Sequence, residues 1–489
     1  MLKKKCDLAR VPYIDIAIYS IVIFLFNLNP VLDILLALVV AMCFIKTDIT
    51  NLLSGYIFFA FFDDAIHFEL LGGSFSRLLM VIIFLRLLYL IVREKLKPEI
   101  KEITIFLFIC FELVFSILIG KFSFGDIMIA ANIFIFLMFS IVGRTEEKTM
   151  ENSLKKLLIY IVSGVFVAII YGFLKFNFLF EETGTLQVYR FSGTYEPNFM
   201  GMYINMAIII ILFSESLNKY IKSIALVILL GTLGMTLSVT GVAVTCIILF
   251  IYVLKKGKFL KRIGYLFLIG VSSILLFGVS QYMFNIVNTT RLNNKNQIEE
   301  EVEEQTVPEE KIVNSDNEQE KSTIDNSQQE IEEAESDIPE TKVDIIEDNT
   351  AVKRGKTLFE NFKEGDFDTL TSGRLPIYRS FLKASFTREL KEIVFGNGLS
   401  DEQLYCDFFG REKEAHNSYL NCLYNFGIIG FILVIVGIVL VIKRNTFFHM
   451  NLQNTKYEKT VKMLRTIFLL YAVVLSLYTK KMVLVFFLI

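Results

Sequence analysis

Three short segments of this sequence carry the side chains best suited to chemistry. The first, residues 190–198, reads Arg-Phe-Ser-Gly-Thr-Tyr-Glu-Pro-Asn and places a cation beside glycine-containing backbone. A guanidinium can bind a phosphate with two parallel hydrogen bonds, so Arg190 is the candidate anion-binding group. Glu196 and Pro197 also have a structural explanation, because an acidic residue and a proline both suit the first turn of a helix. The further substrate-binding candidates of this segment are Gly193, Tyr195 and Asn198.

The second segment, residues 371–374, reads Thr-Ser-Gly-Arg and is followed by Gly-Asn-Gly at 396–398. A hydroxyl followed by glycine and a cation can cradle an anion, although the same pattern also forms an ordinary helix cap and turn. Just upstream, Asp366 and Asp368 have the Asp-x-Asp spacing of metal-dependent sugar transferases. In so acidic a loop this spacing arises easily by chance, so no metal site is predicted. The candidates here are Arg374 for binding charge, with Ser372 and Gly373 as substrate contacts.

The third segment is His416-Asn417, followed after nine residues by Gly427-Ile-Ile-Gly430. The chain has three His, and a histidine at the mouth of a membrane span is the side chain best suited to accept a proton near neutral pH. The two glycines would let helices approach closely beside it. The alternative is a histidine that only anchors the chain at the membrane interface. We predict that His416 is a general base and that Asn417 contacts the substrate.

The composition indicates that helices embedded in a membrane position these side chains. The chain has 489 residues, of which 54% are hydrophobic and 20% are charged, and a soluble protein of this length would carry more charge. Many apolar segments are long enough, at roughly 20 residues, to cross a hydrocarbon core. They are residues 12–28, 31–46, 52–70, 74–92, 102–120, 124–142, 155–176, 197–214, 220–238, 240–255, 262–287, 418–442 and 464–489. We predict an all-α polytopic membrane protein with about 12–14 transmembrane helices.

The distribution of basic residues predicts the orientation of these spans. With the Lys-rich N-terminus inside, the positive-inside rule predicts that every second loop should be basic. The basic loops are at 93–101, 144–156, 219–222, 255–262 and 443–459. All three chemical segments then face the periplasm or the cell exterior. The predicted organisation is a transmembrane bundle (1–287), one large extracytoplasmic loop (288–417) and C-terminal spans (418–489).

The large extracytoplasmic loop divides into two parts of different composition. Residues 299–348 hold twenty acidic residues against three Lys, and such a segment buries too little apolar surface to offset its ordering entropy. We therefore expect residues 296–350 to be an acidic, disordered spacer. Over 355–400, apolar residues recur at helical spacing, which predicts an amphipathic helical segment at the membrane surface.

Taken together, the order and spacing of the motifs resemble those of the O-antigen ligase and polymerase family of bacterial membrane proteins. The shared motifs are Arg-x-x-Gly followed by Glu-Pro-Asn, then Ser-Gly-Arg, Gly-x-Gly and His-Asn-x9-Gly-x-x-Gly. The resemblance covers about residues 150–445, apart from the acidic insert 296–350. It implies a glycosyltransferase C-type fold. It also implies transfer of a glycan from an undecaprenyl-diphosphate-linked donor to an acceptor hydroxyl, at the outer face of the cytoplasmic membrane.

The resemblance also assigns roles to the candidate residues. His416 would be the general base, and Arg190 and Arg374 would bind the diphosphate. After the ninth span the family often has Ser-x-Ser-Arg, but residues 237–241 read Leu-Ser-Val-Thr-Gly and lack that arginine. A third cation is therefore not expected at this position.

This chemistry needs neither a metal nor a cofactor. Diphosphate is a good leaving group, and two guanidinium groups in a poorly hydrated site can balance its developing charge. A base removes the proton of the attacking hydroxyl, and direct attack on the anomeric carbon inverts its configuration. The expected partners are a lipid-linked oligosaccharide donor, a glycan or lipid acceptor and membrane lipids, with no nucleic acid.

Several functions remain as alternatives to a polysaccharide polymerase. A ligase of the same family would transfer the glycan to a lipid or protein, and the motifs do not separate the two. A polysaccharide or lipid transporter would instead place charges deep in the spans and show an internal repeat. A sensor or scaffold that binds a partner through the acidic loop would leave the Arg and His segments unexplained.

Overall fold

The structure is a computed structural model, and its described part is mostly helical. All described residues except Gly278 belong to one compact unit, Met1–Phe277 with Leu358–Ile489. The acidic insert predicted at 296–350 lies outside the described residues. The described residues are 12–62, 65–68, 73–143, 150–175, 177–183, 186–194, 196–214, 217–254, 260–276, 278, 374–398, 403–407, 410–443, 446–447, 450–451, 457–473 and 475.

The helices follow the apolar segments of the sequence. In chain order they are α1 (Pro12–Leu25), α2 (Pro30–Lys46), α3 (Ile49–Ala60), α4 (Phe75–Arg93), α5 (Ile100–Leu118), α6 (Phe124–Gly143), α7 (Met150–Leu174), α8 (Pro197–Phe213), α9 (Lys219–Met235), α10 (Val239–Leu254), α11 (Arg374–Thr387), α12 (Leu390–Phe395), α13 (Ser418–Lys443) and α14 (Glu458–Ala472). Residues 260–276 are also helical. Helices α11 and α12 fall within the amphipathic segment predicted at 355–400.

Short antiparallel hairpins are an addition to the helical prediction. In the described ranges they are β1–β2 (His67–Phe68 and Gly73–Ser74), β3–β4 (Phe178–Thr183 and Leu186–Phe191), β5–β6 (Leu404–Cys406 and Arg411–Lys413) and β7–β8 (Thr446–Phe447 and Met450–Asn451). The helix in the predicted span 52–70 is shorter than expected. Helix α3 ends at Ala60, and His67–Phe68 belong to strand β1 instead. Asp63 and Asp64 interrupt the apolar sequence at this point.

Three helices of the described ranges are long and apolar enough to cross a membrane. They are Phe124–Gly143, Asn152–Leu174 and Ser418–Val439, and shorter apolar helices accompany them. Their outward faces carry large apolar side chains, such as Ile127 and Ile432, at 44% and 54% exposure. Lipid chains are a suitable environment for such faces, whereas water is not. The prediction of a helical membrane protein is confirmed to this extent.

Side-chain contacts between helix ends distinguish two faces of the bundle. At one face, Lys156 near the start of α7 pairs with Asp48, the residue that caps α3, at 3.3 Å. At the other face, Thr194 donates a hydrogen bond to the carbonyl of Phe61, just after the end of α3. Thr194 lies near the end of α7, because its neighbour Gly193 approaches Gly172 of that helix. Helices α3 and α7 therefore run in the same direction. We call the face that contains Thr194 the site face.

Helix α8 lies at the centre of the bundle. Almost all of its residues are buried and apolar, a pattern typical of a helix surrounded by protein on every side. It packs against α7, α9, α10 and α14. The buried amide nitrogen of Asn205 donates to the carbonyl of Gly241 (2.9 Å) and to the hydroxyl of Tyr471 (2.7 Å). Thr245 donates to the amide oxygen of Asn205 at 2.6 Å. These bonds fix α8 against α10 and α14, and so place its first turn at the site face.

Helix α13 is kinked at Gly427, whose backbone has φ +60° and ψ −169°. The carbonyl of Asn425 accepts hydrogen bonds from the N–H groups of Asn397 (2.8 Å) and Gly398 (3.0 Å). Gly396 has φ +89°, and a Cβ atom there would overlap the Asn425 oxygen. Gly427 therefore allows a close approach of the turn after α12, whereas Gly430 lies next to the ring of Phe108 in helix α5.

Replacing Gly396 with alanine should strongly destabilise the protein, because strain at positive φ adds to the overlap with Asn425. We expect Gly396→Ala to lower the free energy of unfolding by roughly 3 kcal/mol or more. Thermal unfolding of the detergent-solubilised protein, followed by circular dichroism, measures the loss.

Two glycines serve as controls for this variant. Gly410 has φ +61° with nothing near its would-be Cβ, and Gly437 in α13 has open space. We expect Gly410→Ala to cost about 1–2 kcal/mol and Gly437→Ala to have almost no effect. A Gly396→Ala protein no less stable than Gly410→Ala would contradict the backbone contact.

Candidate active site

Arg190 lies in strand β4 of the hairpin that precedes α8, opposite Leu179. Its side chain is 6% exposed. The Nε–H donates to the carbonyl of Thr236 at 3.0 Å, and Nη2 donates to the amide oxygen of Asn198 at 3.1 Å. Thr236 caps the C-terminal end of α9. Arg190 therefore holds a buried positive charge between the end of α9 and the beginning of α8.

Asn198 joins three neighbours in this cluster. Its amide oxygen accepts from Arg190 and also from the hydroxyl of Ser238, at 3.0 Å. Its amide nitrogen donates to Glu196 Oε1 at 2.9 Å. Because the oxygen faces two donors and the nitrogen faces a carboxylate, the orientation of the amide is determined by its partners. The predicted candidate Asn198 thus links a cation and an anion.

Arg374 is the first residue of α11 and is half-buried. Its Nη1 lies 3.5 Å from the hydroxyl of Thr240, in the first turn of α10. Arg190 contacts the carbonyl of Thr236 only four residues earlier in the chain. Two arginines that are far apart in sequence therefore converge on the turn 236–240 between α9 and α10.

His416 comes just before α13 and has a backbone φ of +46°, which is uncommon for a residue with a side chain. The next residue, Asn417, is the cap of α13, since its side-chain oxygen accepts from the N–H groups of Tyr419 (2.9 Å) and Leu420 (3.1 Å). Asn417 is 7% exposed. The cap fixes where the helix begins and therefore fixes the backbone position of the histidine.

Tyr378 connects the histidine segment to two other helices. It belongs to α11, and its hydroxyl donates to the carbonyl of Val473, just after α14, at 2.9 Å. The same hydroxyl lies 3.5 Å from the carbonyl of His416. Burial raises the pKa of Tyr378, with Arg374 acting in the opposite direction. The phenol therefore stays protonated and remains a donor at physiological pH.

The buried position of His416 favours a neutral imidazole. Burial is the main cause, and it holds the pKa of His416 below its ordinary value. Glu196 and Glu414 act in the opposite direction by stabilising the imidazolium. Arg374 and Lys413 oppose its protonation. A neutral imidazole beside a cation can accept a proton, and this is the state that a general base requires.

The structure therefore brings the three principal candidates into one cluster at the site face. Arg374 and Glu196 are both electrostatic neighbours of His416, and Glu196 is joined to Arg190 through Asn198. Such a cluster can bind an anion next to a group that accepts a proton.

The remaining candidates either have structural roles or lie outside the described residues. Gly193 is buried in a turn with φ +63°, and its carbonyl accepts from Asn177 at 2.9 Å. Asn417 acts as a helix cap. Both therefore have structural roles, and their contact with a substrate stays a prediction. The candidates Tyr195, Ser372 and Gly373 lie outside the described residues, as do Asp366 and Asp368. Among the residues that are described, no group of three or more His, Cys, Asp or Glu is arranged to hold a metal ion.

Sequence reasoning missed the contribution of the turn 236–240. Thr236, Ser238 and Thr240 each contact a candidate residue. The sequence analysis assigned none of them a role and noted only that the family's arginine is missing at this turn. The available signal was three polar residues at alternate positions between two apolar segments. Glu196 was explained as a helix-start residue, and its link to Asn198 and His416 depends on folded geometry.

Arg190→Lys should destabilise the protein, because a single ammonium cannot reach both the Thr236 carbonyl and Asn198 as the guanidinium does. We expect a loss of about 1–2 kcal/mol in the free energy of unfolding, measured by thermal unfolding in detergent. Arg93→Lys is the matched control, since Arg93 is 56% exposed and pairs with the adjacent Glu94. Equal stability of the two variants would contradict the anchoring role of Arg190.

Comparison with known proteins does not assign the chain to a family. No protein-family model matches the chain, and no match is found among curated proteins or among solved structures. The function of the chain is therefore inferred from the residues of the site and from the motifs in the sequence.

Proposed function

We propose that this protein is a polysaccharide polymerase of the cytoplasmic membrane, a metal-independent and inverting glycosyltransferase. It transfers a glycan from an undecaprenyl-diphosphate-linked donor to the hydroxyl of an acceptor glycan. One set of contacts carries the proposal. Arg374 lies 3.5 Å from Thr240, next to the Ser238–Asn198–Arg190 hydrogen bonds, and Tyr378, one turn further along α11, lies 3.5 Å from the carbonyl of His416. A proton acceptor and two cations, from distant parts of the chain, thus belong to one cluster.

In the proposed reaction, the cations bind the donor and the histidine activates the acceptor. Arg374 and Arg190 provide positive charge for the diphosphate. The acceptor oxygen attacks the anomeric carbon while the bond from that carbon to the phosphate oxygen breaks, and the diphosphate leaves with the electron pair. The acceptor's proton passes to the neutral imidazole of His416 and then to solvent. Positive charge fixed in a half-buried site stabilises the departing diphosphate better than water does.

The proposed fold is that of a C-type glycosyltransferase, with about 12–14 spans and the site face outside the cytoplasm. The basic loops of the sequence support this orientation. Lys156 belongs to one of them and pairs with Asp48 at the face opposite to the site. The positive-inside rule assigns that basic face to the cytoplasm. A site on the outer face meets a lipid-linked donor after its translocation.

The contact of Arg374 with Thr240 also fits this proposal. The family that the sequence resembles has an arginine after Ser-x-Ser, whereas this chain has Thr240-Gly241. Arg374 comes within 3.5 Å of the Thr240 hydroxyl from α11. Arg374 therefore supplies positive charge beside Thr240, where the family often has an arginine in the chain itself.

His416→Ala should abolish turnover of a lipid-diphosphate oligosaccharide by the purified protein in detergent or nanodiscs. The expected result is a rate at least about 100-fold lower, because the variant lacks the general base. Gel separation of the products measures chain elongation. Normal elongation in His416→Ala would contradict the proposal.

His67→Ala is the control, since His67 lies in β1 and is outside the proposed machinery. A chelator should leave the wild-type rate unchanged, and a loss of activity would assign a role to Asp366 and Asp368. Transfer of the glycan to a lipid or protein, with no elongation, would make the protein a ligase with the same mechanism.

The rate should fall on acidification, because only the neutral imidazole accepts a proton. Since burial and Arg374 keep the pKa of His416 below its ordinary value, activity should persist through neutral pH and decline only in more acidic solution. The pH dependence of kcat/KM measures this limb. An acid limb at or above the ordinary pKa of histidine would contradict the assignment.

A further inference from the structure

Glu196 is placed differently from an ordinary helix-capping residue. It precedes the first residue of α8 with an extended backbone (φ −130°, ψ 144°). Within the described part of the chain, its side chain accepts no capping hydrogen bond from the first turn of the helix. Its Oε1 instead accepts from the amide nitrogen of Asn198 at 2.9 Å. The carboxylate is therefore held to the side of the helix start, within the cluster of the candidate site.

Asn198 determines where this carboxylate lies. The amide oxygen of Asn198 accepts from Arg190 and from Ser238, so the amide cannot turn over without losing both donors. The amide nitrogen then points to Glu196. The carboxylate is fixed by a bonded network that begins at a buried guanidinium, and it remains half-buried itself.

Contacts lead from Glu196 to the histidine segment. Asn198, which bonds Glu196, accepts from Ser238, and Thr240 two residues later lies 3.5 Å from Arg374. Tyr378, one turn further along α11, lies 3.5 Å from the carbonyl of His416. In this arrangement Glu196 acts to stabilise the charged imidazolium. The other charged groups that face His416 are Glu414 and Lys413 from the preceding residues, and Arg374 from α11. Among these groups Glu196 has the largest effect and comes from a distant part of the chain.

We propose that Glu196 is a positioning residue for the proton transfer, and that it stabilises the imidazolium formed when His416 takes the proton of the acceptor hydroxyl. This inference rests on the proposed function. As the hydroxyl O–H bond breaks and an imidazole N–H bond forms, the ring gains one positive charge. A fixed carboxylate nearby offsets that charge without taking the proton. The proton leaves from the imidazole to solvent after the glycan has been transferred.

The position of Glu196 in the cluster explains why a carboxylate is needed. Two arginines favour binding of the diphosphate, but Arg374 also opposes protonation of His416. A histidine surrounded only by cations would be a weak base. Glu196 reduces this conflict, so that one small site can both bind an anion and accept a proton.

Glu196→Gln tests the inference, because glutamine removes the charge and keeps an oxygen that accepts from Asn198. We expect kcat to fall at least about ten-fold, with little change in KM. The acid limb of the pH profile should move to lower pH, since removal of the carboxylate lowers the pKa of His416. Glu196→Asp keeps the charge and should restore the wild-type limb and part of kcat.

Glu412→Gln is the matched control, because Glu412 is an exposed residue of strand β6 and should leave both quantities unchanged. Thermal unfolding checks that the Glu196 variants are folded. An unchanged pH profile in Glu196→Gln, or an effect confined to KM, overturns the inference.

His416→Ala, assayed in parallel, separates the two hypotheses. If His416→Ala is active and Glu196→Gln is inactive, Glu196 is itself the base, and both the inference and the proposed role of His416 are wrong. If His416→Ala is inactive and Glu196→Gln has the wild-type profile, the inference alone is wrong.

Discussion

The side-chain amide of Asn198 joins the parts of the chain on which the candidate site depends. It accepts from Arg190 in the β3–β4 hairpin and from Ser238 at the start of α10, and it donates to Glu196. An amide is suited to this position because it offers a donor and an acceptor on one rigid group. A buried guanidinium without acceptors would be costly, so the Asn198 and Thr236 oxygens allow Arg190 to remain charged inside the bundle.

The central helix α8 makes this arrangement possible. Its almost continuous apolar sequence is buried on all sides, and its polar residues occur where they have partners. Asn205 fixes the middle of the helix to Gly241 and Tyr471. Asn198 fixes its first turn to the site. The packing of the bundle and the geometry of the site therefore depend on the same helix.

The apolar segments of the sequence predict most helices, because length and hydropathy are local properties. The candidate residues Arg190, Arg374 and His416 were also identified locally, from residue types that bind anions or accept protons. Their partners were not predicted. Thr236, Ser238 and Glu196 contact the candidates only through tertiary structure, which local patterns do not encode.

Strand β4 was missed for a different reason. Its six residues, Leu186–Phe191, pair with strand β3 between two helical spans, and hydropathy predicts this stretch only as a connection between those spans. The kink at Gly427 was not predicted. The glycine did indicate close packing, but the sequence could not identify the backbone of the turn 396–398 as its partner.

The account depends on a diphosphate binding between the two arginines, beside His416. The most direct test is an electron cryomicroscopy structure of the protein in a lipid nanodisc with undecaprenyl diphosphate bound. We expect phosphate oxygens within about 3 Å of the guanidinium nitrogens of Arg374 and Arg190, with the imidazole of His416 facing the position of the anomeric carbon. A diphosphate bound at the opposite face of the bundle, or away from both arginines, would contradict the account.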